Sequence, residues 1–260
     1  MPTSRRPSSA PARDGVRHGL ARVLSKRGVC SRSQAEQWIR AGRVALDGRV
    51  VLDPERPVAQ GQGGITVDGQ PIGESTRVYV MFNKPRGLVV STADERGRAT
   101  VYDALVAADL PWLGPVGRLD KASEGLLLLS NDTVWAAGIT DPATHREKTY
   151  HVQIDRLPDA ALLARLREGV FDEGERLVAR QAELLRAGDK NAWLEIVLDE
   201  GRNRHIRRLL AAHGIGVLRL VRVSIGGLRL GDLPKGQWRH LATEEIEALR
   251  ARPQATSPRL

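Results

Sequence analysis

Four consecutive leucines, Leu126–Leu129, follow Gly117-Arg118-Leu119-Asp120 and Lys121-Ala122-Ser123-Glu124-Gly125 without a break. A short apolar run with no polar alternation predicts a buried strand, and such a strand needs a sheet to sit in. The loop ahead of it holds one carboxylate, Asp120, between glycines, with Arg118 two residues earlier. A carboxylate beside a guanidinium stays ionised and fixed in direction, as a nucleophile or general base at a sugar carbon must be. Taken alone, G-x-L-D is more often a turn aspartate bonded to its own loop. The rest of the chain shifts that balance.

From Val78 onward, strand-like runs alternate with turns: Val78–Phe82, Leu88–Ser91, Leu126–Ser130, Thr149–Ile154, Arg180–Leu185, Trp193–Leu198, Leu218–Ile225 and Trp238–Leu241. Helical patterns cover Val101–Ala108, Ala160–Glu168, Asn203–His213 and Thr243–Arg250. Many strands, few helices and no β-α-β alternation predict an α+β domain on a mainly antiparallel sheet. Asn83-Lys84-Pro85-Arg86-Gly87 reads as a basic turn between the first two strands. Lys148 and Tyr150 open a later strand and, two residues apart, share a face. In Glu200-Gly201-Arg202-Asn203-Arg204-His205-Ile206-Arg207-Arg208, Asn203 is a candidate cap for a helix with an apolar stripe through Ile206, Leu209, Leu210 and His213. Arg204, Arg207 and Arg208 form a second stripe. They crowd at the helix start, where the dipole disfavours cations, which points to anionic partners.

Charge is unevenly placed. The formal net charge is +9, and residues 1–50 alone hold eleven Lys/Arg against three Asp/Glu, an excess of eight. A basic head on a nearly neutral body is the footprint of a nucleic-acid-binding module. Within it, Leu20, Val23 and Leu24 form one helical stripe stopped by Gly28; Ser31 or Ser33 caps a second helix with Ala35, Trp38 and Ile39 inward. Val44-Ala45-Leu46, Asp47-Gly48 and Val50-Val51-Leu52 predict a hairpin, and Ile65-Thr66-Val67 adds to the sheet. Arg22, Lys26, Arg27, Arg32, Arg40 and Arg43 fall on or beside the outer face of the helix pair.

One cysteine, Cys30, excludes an internal disulfide or a multi-thiolate metal site, and the six histidines lack ligand spacing. No apolar run reaches the length of a membrane span, the N-terminus lacks the apolar segment of a secretory signal, and no Gly-rich phosphate loop occurs. The expectation is a cytoplasmic protein without metal or cofactor, monomeric by default.

The order G-V-C-S-R-S-Q-A-E-Q-W-I-R-A-G-R-V-A-L-D-G resembles the alpha-L, or S4-like, RNA-binding fold, with Gly19-Leu20 where that family often has Arg-Leu. Such a module reads the backbone and shape of folded RNA. Behind it, G-R-L-D-x-x-S-E-G-L-L-L-L-S-N-D, K-T-Y-x-V-x-I and E-G-R-N-R-x-I-R-R, in that order, resemble the bacterial ribosomal-RNA pseudouridine synthases. The branch includes the small-subunit RsuA enzyme and its large-subunit RluB and RluE relatives. The resemblance implies Asp120 as the catalytic aspartate, Tyr150 packed against the target base, Arg207 paired with the Asp120 carboxylate, and Arg118 and Leu220 lining the pocket. Lys148, Arg204, Arg208 and the basic residues of the N-terminal module are expected RNA contacts. His205 stands where the branch commonly has glutamine, an exchange bearing on an RNA contact and not on the aspartate.

The expected division is a disordered basic arm over 1–18, the RNA-binding module over 19–73, a linker over 74–77, the synthase domain over 78–250 and a loose tail over 251–260. The partner implied is ribosomal RNA. R-G-R-A-T-V-Y-D-A-L and D-K-A-S-E-G look closer to the large-subunit members. A pseudouridine synthase acting on small-subunit ribosomal RNA, a non-catalytic assembly factor and an RNA glycosidase are the rival readings; the last needs a second, water-activating carboxylate.

Overall fold

The computed structural model describes residues 16–250 apart from 60, 74 and 92–95. The expected arm through residue 15 and the tail over 251–260 lie outside the described residues. The chain divides into two compact units between Ser75 and Thr76.

In the first unit, helices Leu20–Lys26 and Arg32–Arg40 pack with strands Val44–Leu46 and Ile65–Val67. Ser31 caps the second helix, its hydroxyl accepting the Gln34 N–H at 3.1 Å. Leu20, Val23, Leu24, Ala35 and Ile39 are fully buried with Val44. The Asp47-Gly48 hairpin turn is left-handed at both residues, which suits a two-residue connection between twisted strands. Arg17 and His18 correct the arm's expected boundary: they pair in a ladder with Ala59 and Val58. The linker expectation also changes. The Ser75 hydroxyl donates to Arg27 O at 2.8 Å, Thr76 O accepts from Asn131, and Arg77 pairs with Asp132 at 2.9 Å. Glu74 lies outside the described residues.

The second unit is built on a nine-stranded sheet whose main path has seven strands, β1 (Tyr79–Lys84), β2 (Glu124–Ser130), β3 (Lys148–Ile154), β4 (Gln181–Ala187), β5 (Ala192–Leu198), β6 (Val217–Ile225) and β7 (Trp238–His240), with the short Gly114–Val116 and Leu228–Arg229 pairing beside β2 and β6. They lie in the order β4-β5-β3-β6-β2-β1-β7. Every neighbouring pair is antiparallel except β6 and β2, which run parallel. Four helices accompany them: α1 (Thr133–Thr140), α2 (Ala160–Glu168), α3 (His205–Ala211) and α4 (Thr243–Arg250).

The leucine run explains the layering. All four leucines are fully buried, each contributing about 2 kcal/mol of burial. Leu127 and Leu129 face a core with Leu162 and Leu166 of α2 and Ile206, Leu209 and Leu210 of α3. Leu126 and Leu128 face the opposite core, with Trp135 and Ile139 of α1 and Leu249 of α4. Gly125 lets β6 approach: at φ +98, any Cβ there would collide with the backbone carbonyl of Arg222.

Three expectations are corrected. Leu88–Ser91 is not a ladder strand; Val89 makes one isolated bridge to Thr100, while Leu88 and Val90 only pack on the core. Val101–Ala108 narrows to a 3-10 turn over Asp103–Ala108, because Thr100 and Asp103 bond the local backbone themselves. The helix at Asn203 begins at His205, and its cap is Arg204 in left-handed conformation with no side-chain cap bond. Helix α1 was not anticipated; the Asp132 carboxylate caps it by accepting the Val134 and Trp135 amides. A small hairpin, Val170–Asp172 with Glu175–Leu177, was also not anticipated.

Candidate active site

Asp120 occupies a turn that leads into β2, and every carbonyl of that turn is engaged. Asp120 O accepts from the Ser123 amide at 2.9 Å and from Lys84 Nζ at 3.2 Å. Lys121 O accepts the Gly87 amide at 2.8 Å. Ala122 O accepts from Arg207 Nη2 at 3.2 Å. Ser123 O accepts from Lys84 Nζ at 2.8 Å. A turn held at four successive carbonyls cannot rotate freely, so its carboxylate keeps one direction.

That carboxylate, 38% exposed, enters an open cleft of about 460 Å³. Arg118, Tyr150, Leu198, Leu220, Arg204 and Arg207 are among its walls. Tyr150 and Leu220 are nearly buried and come from adjacent strands β3 and β6. The residues that the motifs and the family resemblance pointed to, Asp120, Tyr150, Arg207, Arg118, Leu220 and Arg204, thus line one cavity.

The arginines are arranged differently from the expectation. Arg207 does not contact the Asp120 carboxylate; it donates to Ala122 O and, at 3.4 Å, to Val217 O. Burial lowers its guanidinium below the ordinary range, with Arg204 adding to the effect. The nearest cation to the carboxylate is Arg204, its Nη1 3.8 Å from Asp120 Oδ2. Arg208 is not a free RNA contact. It bonds Asp172 and Glu175 of the small hairpin, which raise its guanidinium above the usual value. Lys148 shares its strand face with Tyr150 but not the cleft: its ammonium donates to Arg146 O at 2.8 Å. Burial pushes that ammonium down to about 8, with Arg222 and Arg146 contributing. His205, expected to bear on RNA, is buried and accepts the Val178 amide on Nε2 at 3.0 Å. It ties α3 to the segment after the hairpin.

Two residues of consequence escaped the sequence reading. Lys84, taken for part of a basic turn, is completely buried, and burial pushes it down to about 8. The signal was available: Val80, Phe82 and Lys84 alternate on one strand face. Glu124 is the second. It is 3% exposed, and both oxygens are taken, by Arg219 at 3.0 and 3.1 Å and by Lys235 at 2.5 Å. Burial, the largest single influence, raises its carboxyl, but Arg219 and Lys235 together outweigh it and hold the carboxyl below the ordinary range. A carboxylate so occupied cannot activate water beside Asp120.

The basic residues of the first unit are mostly paired. Arg32 meets Glu55 at 2.8 Å and Glu36 at 3.3 Å, and Arg40 meets Glu36 at 3.9 Å. Arg43 pairs with Asp68 and lies over the Trp38 ring. Arg27 donates to Gln62 O. Lys26 contacts His18 at 3.2 Å, and burial, with Lys26 and Arg22 beside it, lowers the His18 ring. The expected single cationic face is thus a mixed one, with Arg22 exposed. No group of three or more His, Cys, Asp or Glu side chains placed to hold a metal occurs among the described residues. No described helix is long and apolar enough to cross a membrane.

Comparison with known proteins matches residues 78–212 to the RNA pseudouridylate synthase family and residues 19–62 to the S4 domain. The chain is 35% identical to the ribosomal large subunit pseudouridine synthase B of Haemophilus influenzae, over 94% of this chain and 70% of that one. It is 34% identical to the protein of the same name in Bacillus subtilis, over 89% and 95%. An uncharacterized RNA pseudouridine synthase of Mycobacterium bovis is 37% identical over 90% and 93%. A crystal structure of a pseudouridylate synthase superposes with TM-score 0.62 at 31% identity, over 90% of this chain and all of that one.

Proposed function

The chain belongs to the RNA pseudouridylate synthase family, and from that premise we propose that it isomerises a specific uridine in large-subunit ribosomal RNA, with Asp120 acting on the ribose. It carries an S4 domain ahead of the synthase fold. The large-subunit assignment rests on the names of the relatives in Haemophilus influenzae and Bacillus subtilis.

The isomerisation breaks the bond from the anomeric carbon to ring nitrogen N1, turns the uracil, and joins the anomeric carbon to C5. The C5 proton leaves and N1 ends protonated, so the reaction is balanced without redox or added groups. Three demands follow. The base must leave its stack and rest on an apolar platform, which Tyr150 and Leu220 offer. An electron-poor sugar needs an ionised carboxylate beside it, and Asp120 supplies it, as nucleophile at the anomeric carbon or base at the neighbouring one. The carboxylate must be held in place, which Lys84 and Arg207 accomplish through the turn's carbonyls. Arg118 and Arg204 offer positive charge to the flanking phosphates at the cleft. In the first unit Arg22, Lys26, Arg27, Arg32, Arg40 and Arg43 are assigned to RNA backbone contacts. The protein works as a cytoplasmic monomer on free RNA or an assembling subunit.

The single observation that carries this reading is the fourfold anchoring of the Asp120 turn at a cleft walled by Tyr150 and Leu220. Against the glycosidase reading stands Glu124, whose oxygens are both committed. The test is a deletion strain complemented with wild type or Asp120→Asn, with pseudouridines mapped across its ribosomal RNA. Asp120→Asn retains RNA binding and restores no pseudouridine, a loss of at least about 10³-fold in rate. Full restoration by the Asn form removes Asp120 from the mechanism. Free uracil released from a ribosomal RNA fragment would establish the glycosidase instead.

A further inference from the structure

Four arginines lie between Arg202 and Arg208, and three are committed to the fold. Arg202 bonds Glu200 at 2.9 Å and approaches Glu175. Arg208 is locked into the hairpin carboxylates, and Arg207 is pinned to two backbone carbonyls. Arg204 differs. Its side chain is 54% exposed, and among the described residues Asp120 is the one carboxylate within 4 Å of it. The contact, at 3.8 Å, lies beyond hydrogen-bonding distance. Its backbone sits at φ 48, a conformation that strains an arginine and costs a glycine nothing.

A strained backbone, an exposed guanidinium and a long contact to the central carboxylate converge on one residue. The backbone turn at Arg204 starts α3, its carbonyl accepting the Arg208 amide at 2.9 Å, but its side chain makes no cap bond, which directs attention to the guanidinium itself. A loose, exposed ion pair is also readily exchanged, because its net worth is small. When a ribose lies against Asp120, its own flanking phosphates necessarily come to the mouth of the same cleft. A phosphate is a stronger partner for a guanidinium than a carboxylate 3.8 Å away.

We propose that Arg204 is an exchangeable partner of Asp120: it covers the carboxylate in the RNA-free enzyme and passes to a phosphate of the target nucleotide when that nucleotide enters. Asp120 is thereby uncovered on its Oδ2 side only when substrate is present, while Arg207 and Lys84 keep its turn in place. Arg204 is a positioning residue here, not a catalytic one. The inference rests on Asp120 and Tyr150 forming the uridine site, but its test reads binding and so does not depend on turnover.

The test is a double-mutant cycle on the full-length protein, binding an unmodified transcript of a large-subunit ribosomal RNA domain across a range of salt with carrier RNA present. Arg204→Gly removes the guanidinium and relieves the backbone, so folding is preserved, and an unchanged melting curve verifies it. With Arg204 present, Asp120→Asn frees the guanidinium and tightens RNA binding about threefold to fivefold. In the Arg204→Gly background the same change has less than about twofold effect. Arg204→Gly also lowers the slope of log affinity against log salt by about one, and Arg204→Lys restores that slope. In turnover the Gly variant shows its loss chiefly in KM. Equal effects of Asp120→Asn in both backgrounds overturn the exchange, as does an unchanged salt slope. A wild-type protein that binds this RNA yet forms no pseudouridine would sink the isomerase reading and leave the cycle readable.

Discussion

The two units place part of their positive charge differently, although the second also pairs Arg208, Arg219 and Arg239 with carboxylates. In the first, Arg32, Arg40 and Arg43 lie at the surface and meet acidic side chains in water. In the second, Lys84, Lys148, Arg222 and Arg207 are buried or half-buried and meet backbone carbonyls. The first arrangement is worth little to stability and is easily surrendered to a phosphate. The second cannot be surrendered, because removing the cation strands dry carbonyls. A count of basic residues cannot separate the two, yet one set is available to RNA and the other is part of the frame around Asp120.

The sharpest way to break this contrast is Lys84→Met, which keeps the volume and deletes the charge. It orphans the carbonyls of Pro85 and Ser123 and leaves Asp120 O with the Ser123 amide alone, costing about 2–4 kcal/mol in urea unfolding and at least about 10²-fold in turnover. A Lys84→Met protein with full activity would show that carbonyl anchoring does not aim the carboxylate.

A smaller effect is read from the buried lysines by pH. Burial pushes Lys148 down to about 8 from its ordinary 10.5. Between those values the unfolded chain still holds a proton that the buried amine has released. Stability therefore climbs as pH rises through this window, by about 1 kcal/mol after allowance for partial exposure. Lys148→Met removes that residue's share of the rise and leaves the share of Lys84, also pushed down to about 8, and a wild-type curve already flat between pH 8 and 10 would refute both. The smallest effect belongs to the surface. Glu55→Gln removes one of the two acidic partners of Arg32, leaving Glu36, and shifts Tm by under about 2 °C, while RNA affinity rises slightly at low salt. A large Tm loss would place Arg32 in the frame after all.

What the sequence disclosed follows from the reach of each signal. The leucine run and the alternation along β3 are backbone-periodic, so the sheet and its buried centre were legible. Asp120, Tyr150 and Leu220 came together because motif order anticipated which loops and strands meet. Helix α1 escaped because Thr133-Val134-Trp135 reads as strand-like, and its start depends on Asp132 accepting two amides. The spacing of Arg204, Arg207 and Arg208 suggested one stripe, but Arg204 lies outside the helix in left-handed backbone and the three guanidiniums diverge. Side-chain destinations, unlike periodicity, depend on partners far away in the chain, such as Ala122 for Arg207.

The parallel pairing of Val221 with Glu124 and Arg222 with Gly125 joins segments almost a hundred positions apart. Contacts of such long separation form late, since chain entropy must be overcome first. A polypeptide still emerging from its own ribosome, with β6 not yet made, has an open flank beside β2. Completion of the sheet beside Asp120 thus waits on β6, long after the residues of the S4 domain have been made.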